Sequence, residues 1–224
     1  MAGGALEARE EALVEHSTFE ANRVTTTDAG DDGGGAIAFG GDMLRVRRST
    51  FSNNDAYRGG SISLVAGSLQ LVGDTFVSAQ FGIAGRSGTV LRIRDTTASS
   101  LSIANTVVAG TCVFPNTTRR WSLAYNNIES PGTGCRFDEA TIGSGNQVGV
   151  TSGQLNLGPL ADNGGPTPTR LPLAGSVTID QGRESHCLES DQRHYLRADA
   201  QCDIGAVEVG ATEDLIFADA FDAD

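Results

Sequence analysis

The chain has no lysine. All 16 of its basic residues are arginine, set against 28 Asp and Glu, for a formal net charge of −12. So acidic a surface argues against general nucleic-acid binding and against attraction to anionic membranes. No apolar run reaches the ~18 residues of a transmembrane helix. The first residues show no basic stretch followed by an apolar one, so no signal peptide is read there. Aromatic residues make up only 6% of the chain, which suits a core of small and branched side chains in thin layers. CxxC, EF-hand spacing, the GGxGxDx nonapeptide, GxGxxG between strand and helix, Ser-nucleophile motifs and regular TxT ladders are all lacking.

What is present is a repeat. Three copies open on a Gly pair, continue in an apolar alternation and end in Ser/Asp-Thr-Phe. They run from Gly3-Gly4-Ala5-Leu6 to Ser17-Thr18-Phe19, from Gly34-Gly35-Ala36-Ile37 to Ser49-Thr50-Phe51, and from Gly59-Gly60-Ser61-Ile62 to Asp74-Thr75-Phe76. A unit this short cannot bury its own apolar face and must stack on its neighbours, which predicts a solenoid. Glu7 to Glu15 looks by itself like a short amphipathic helix. The repeat aligns it with Ala38–Arg47 and Ser63–Val72, which alternate as strands. Leu91-Arg92-Ile93-Arg94 and Leu101-Ser102-Ile103-Ala104 continue the alternation. The seven-residue step from Leu44 to Phe51 recurs from Leu101 to Val108 and from Trp121 to Ile128, giving at least five coils. Asn22 and Asn54 stand three residues after Phe19 and Phe51, where Asn suits a tight corner and stacked Asn can form a ladder.

The expected fold is therefore all-β: a right-handed parallel β-helix over residues 1–150, then a last coil and disulfide-bearing C-terminal cap over 151–209, then an acidic tail over 210–224. The chain enters its first repeat at Gly3 with no element to cover an open stack end, so further coils and an export signal are expected upstream. A naturally short chain with a poor cap is the alternative. The four cysteines fall into two close pairs, Cys112 with Cys135 and Cys187 with Cys202. This pattern fits disulfides of about 3 kcal/mol each in an oxidising compartment, with buried free thiols as the alternative.

Several runs carry a resemblance. They are Tyr125-Asn126-Asn127-Ile128 with Thr133-Gly134-Cys135, Gly145-Asn146-Gln147-Val148-Gly149, Leu157 to Thr169, Ile179-Asp180-Gln181-Gly182, Asp191-Gln192-Arg193 and Cys202-Asp203-Ile204-Gly205-Ala206. In this order, over about half the chain, they resemble the bacterial choice-of-anchor Q group of parallel β-helix proteins. The Gly-Gly-Ala and Phe-x-x-Asn elements also resemble repeats of polymorphic outer-membrane autotransporter passengers. The ending from Asp214 to Phe221 is similar to a short tail of exported proteobacterial proteins, with Ala220 where Gly usually stands. The resemblance implies an exported protein, held at the cell surface or secreted, with the same two disulfides. It implies no catalytic set and no substrate.

Two kinds of function follow as expectations. The first is a non-enzymatic scaffold or adhesin-like module whose partners are extracellular polysaccharide or cell-surface glycan, without nucleic acid or membrane insertion. The second is a polysaccharide lyase or glycoside hydrolase. Arg45, Arg47, Arg92 and Arg94 point outward in the alternation and are candidates to grip uronate carboxylates from one face. The alternative for them is solvated charge paired with acids of adjacent coils. No cofactor is expected. Asp28, Asp31 and Asp32, with Asp42, are weak Ca²⁺ candidates against the reading of a plain acidic loop. His186, Cys187, His194 and Cys202 match no usual zinc spacing. Hydrolysis on this fold needs carboxylates clustered on one face, and no such cluster stands out.

Overall fold

The computed structural model describes residues 4–25, 33–56, 59–78, 89–94, 100–114, 120–132, 134–197 and 201–212. Strands follow the repeat. The first coil holds β1 (Leu6–Ala8), β2 (Ala12–Glu15) and β3 (Thr18–Glu20). The second holds β4 (Ile37–Phe39), β5 (Met43–Arg47) and β6 (Thr50–Ser52). The third holds β7 (Ile62–Leu64), β8 (Ser68–Val72) and β9 (Thr75–Val77). The fourth holds β10 (Thr89–Ile93), β11 (Leu101–Ala104) and β12 (Val107–Ala109). The fifth holds β13 (Thr111–Val113), β14 (Leu123–Tyr125) and β15 (Ile128–Ser130), and β16 (Ile142–Ser144) follows. Through β15 every third strand joins the same parallel sheet, and β16 extends the second: β1-β4-β7-β10-β13, β2-β5-β8-β11-β14-β16 and β3-β6-β9-β12-β15. Three stacked parallel sheets of this kind are compatible with a β-helical solenoid.

The register explains the repeat. Glu7 pairs with Ala38 and Ala38 with Ser63, and Val14 pairs with Val46 and Val46 with Leu71, as the alignment expects. Inward columns form from Ile37-Ile62-Leu91, Leu44-Leu69-Leu101 and Phe51-Phe76-Val108. Phe19, Phe51 and Phe76 stack face to face, with centroids 4.7 and 4.6 Å apart. The Gly pairs sit where coils crowd: a Cβ on Gly35 would collide with the Gly60 carbonyl.

The corner between the second and third sheets repeats in every coil. His16, Arg48, Gly73, Asn105, Asn126 and Gly145 all adopt positive φ there. The next residue is polar each time, and its backbone N–H donates to the corresponding side chain of the following coil. Ser17 donates to Ser49 Oγ, Ser49 to Asp74 Oδ1, Asp74 to Thr106 Oγ1, Thr106 to Asn127 Oδ1 and Asn127 to Asn146 Oδ1, at 3.0 to 3.4 Å. The expected Asn22–Asn54 pair also forms, Asn22 donating to Asn54 Oδ1 at 3.0 Å.

Beyond β16 come α1 (Ser152–Leu155) and the antiparallel pair β17 (Leu157–Ala161) and β18 (Thr169–Pro172). This stretch does more than close the last coil. It lies along the third sheet from end to end. Gln192 accepts from Thr50 Oγ1 and donates to Thr18 and Thr167, and Arg170 donates to Ser52 Oγ. Ala206 N–H donates to Thr75 Oγ1 and Gly205 N–H to Asn105 O. Gly205 has φ 118°, and a Cβ there would stand 2.9 Å from Thr75 Oγ1. Ile204 joins Val107, Ile128, Val150 and Leu155 in a second apolar cluster. Both disulfides form, Cys112–Cys135 and Cys187–Cys202. Residues 213–224, most of the expected tail, lie outside the described residues.

Stability should therefore reside in the columns and not in surface charge. Phe51→Ala, at the centre of the ring stack, should cost about 3–5 kcal/mol in chemical denaturation. Arg45→Ala, on an exposed ion pair, should cost less than about 1 kcal/mol.

Candidate functional site

The third outer sheet face is covered, and the first is buried at its middle: its outward column runs from exposed Glu7 through buried Ala38, Ser63 and Arg92 to exposed Val113. On the third, Thr50, Thr75, Val107 and Ile128 lie beneath the C-terminal stretch. The second sheet keeps an accessible face, whose outward column runs Leu13, Arg45, Gln70, Ser102, Leu123 and Ile142. Leu13 and Ile142, at its two ends, are each 57% exposed.

Acids of the first coil meet arginines of the second across this face. Arg45 stands 3.6 Å from Glu11, Arg47 3.8 Å from Glu15 and Arg48 3.1 Å from Glu15. Arg47 also donates to Gln70 Oε1 at 3.3 Å. No two acidic residues oppose one another in register on adjacent strands of the three described sheets.

The four candidate arginines do not share a face. Arg45 and Arg47 lie on the second sheet, whereas Arg92 belongs to the first and Arg94 follows its strand. Alternation is the same in both sheets, so the pattern by itself does not identify the sheet; in the fourth coil the second-sheet strand is β11. Arg92 is 5% exposed and cannot present its guanidinium to a glycan. Asp28, Asp31 and Asp32 lie outside the described residues, and Asp42 is exposed. Cys187 and Cys202 bond each other, which removes them from any zinc set.

Three groups escaped the sequence reading. The first is Glu129. The step from Trp121 to Ile128 places Ile128 in the phenylalanine column, but the register is one residue different. Ile128 pairs with Val107, and Glu129 pairs with Val108 and turns inward. The shift lets Ile128 join the outer apolar cluster, while Glu129 Oε1 accepts the Cys135 N–H at 2.8 Å. Burial pushes the Glu129 carboxyl up to about 7, opposed by backbone N–H bonds and reinforced by Asp138. The second is the His16–His194 pair, stacked with centroids 3.8 Å apart. Burial lowers the His16 pKa, against a bond to the Gln192 carbonyl and with Arg48 adding to the shift. The third is a cleft of about 330 Å³ between the third sheet and the C-terminal stretch, lined by Val77, Ala109, Ser130, Ser152, Leu155 and Arg170. None of these had a local signal, because each depends on a partner in another coil or in the covering stretch.

Comparison with protein families, curated proteins and solved structures returns no significant match.

Because the folded carboxyl of Glu129 holds its proton to higher pH than an unfolded one, the native state binds more protons between pH about 4.5 and about 7. Stability should fall as pH rises through that window and level off above it. Glu129→Gln should flatten this segment of the denaturation midpoint plotted against pH.

Proposed function

We propose that the chain is part of an exported bacterial surface or secreted protein, folded as a right-handed parallel β-helix that serves as a rigid scaffold or adhesin-like module. The observation that carries this reading is the accessible second-sheet face, where Glu11–Arg45 and Glu15–Arg47 neutralise one another across coils. Paired charges of this kind suit a solvated wall, whereas a lyase or hydrolase groove needs carboxylates and a base brought together around a sugar. Two disulfides agree with an oxidising compartment. Among the described residues no helix is long and apolar enough to cross a membrane.

Ligands of such a module would be acidic or neutral extracellular glycans lying along the second sheet. Arg45 and Arg47 would exchange their glutamate partners for uronate carboxylates, and Gln70 and Ser102 would meet hydroxyls. Incubation with pectin, alginate, glycosaminoglycans and neutral glycans, with and without Ca²⁺, tests this. Co-sedimentation without unsaturated product is expected. The Arg45→Ala, Arg47→Ala double variant should weaken retention of an acidic glycan by about tenfold or more, the scale of a lost charge-assisted hydrogen bond. Release of unsaturated product would overturn the scaffold reading in favour of a lyase. Retention of no glycan would leave a structural role alone.

A further inference from the structure

The stretch that covers the third sheet brings together carboxylates from two separate places in the chain. Asp180 comes before the Cys187–Cys202 loop, and Asp203 and Glu208 come after it. One oxygen from each of the three lies within 4.8 Å of the others. Two oxygens that both bond one Ca²⁺ at about 2.4 Å stand at most about 4.8 Å apart, so the three are near enough to share an ion.

A second observation points to a ligand. Glu208 is 1% exposed, and its Oε1 is buried with no hydrogen-bond donor. Its Oε2 is held by Arg197 and by the Asp203 N–H. A buried anionic oxygen without a donor is costly. Asp203, also 1% exposed, accepts the N–H of Asp180 at 2.8 Å and of Val209 at 2.7 Å. Burial raises the Asp203 pKa, and the Asp180 charge adds to the rise while Arg197 opposes it. Among the described residues the three carboxylates meet one ion-paired arginine, Arg197, which leaves two negative charges, and neighbouring Asp191 and Arg193 pair with each other at 2.7 Å. The excess equals the charge of one divalent cation, and an all-oxygen donor set suits Ca²⁺.

We propose that Asp180, Asp203 and Glu208 form a calcium site. Glu208 supplies an interior carboxylate and Asp180 the solvent-side one, with water completing the shell. The ion ties the chain before the Cys187–Cys202 loop to the chain after it, and so locks the stretch that covers the third sheet. This site is independent of whatever the second sheet binds.

The chelator-treated 224-residue chain is titrated with Ca²⁺ by calorimetry, and its melting is followed over the same concentrations, with Mg²⁺ in parallel. One Ca²⁺ per chain is expected, with Tm rising as Ca²⁺ exceeds its Kd. Asp180 is exposed, so Asp180→Asn should melt like the parent in chelator yet bind Ca²⁺ at least about tenfold more weakly. Glu208→Gln should abolish binding, and Asp42→Asn should leave it unchanged. Neither heat nor a Tm shift up to millimolar Ca²⁺ would overturn the site. Parent-like affinity in Asp180→Asn would overturn it too, by placing the ion elsewhere on the chain.

Discussion

Parallel strands of adjacent coils can slip along one another unless something fixes their register, and here that is the polar corner between the second and third sheets. The positive-φ residue turns the chain, and the next residue offers a short acceptor to the backbone N–H of the coil before it. A slip by one residue would break this ladder and would also turn each column from core to surface. Asp74 shows how strongly the corner is held. It is fully buried, with its carboxylate accepting the N–H groups of Ser49 and Val72, although burial raises its pKa well above the usual carboxylate range.

With register held, packing divides the outer surface. The third sheet turns Thr18, Thr50, Thr75, Val107 and Ile128 outward, a column that changes from hydroxyl to apolar along the stack. The covering stretch matches it. Gln192 meets the threonines of the early coils, Ala206 meets Thr75, and Ile204 meets Val107 and Ile128. The cleft beside Arg170 lies at this seam. The second sheet keeps an accessible outer face.

On that face the charges answer one another. Glu11 and Glu15 of the first coil are met by Arg45, Arg47 and Arg48 of the second, so opposite charges are paired there despite the net charge of −12. Within the covering stretch, three carboxylates, Asp180, Asp203 and Glu208, come together instead. The proposed binding wall and the proposed calcium site thus differ in chemistry.

The repeated Gly pairs, the alternation and the Ser/Asp-Thr-Phe endings determined by themselves where strands begin, which side chains turn inward through the first four coils, and that the strands stack in parallel. These are consequences of a two-residue side-chain period and of short-range crowding, both written locally. Close cysteine spacing carried the disulfides for the same reason. Tertiary structure alone decided that Arg92 is buried while Arg45 stays accessible, that Glu129 takes the place of a core residue, and that the described residues between 157 and 212 cover the third sheet. Each of these depends on partners distant in the chain, as between Thr50 and Gln192, 142 residues apart. A strand's period states which residues alternate, but only the coil packed against it states which face is buried, and by what.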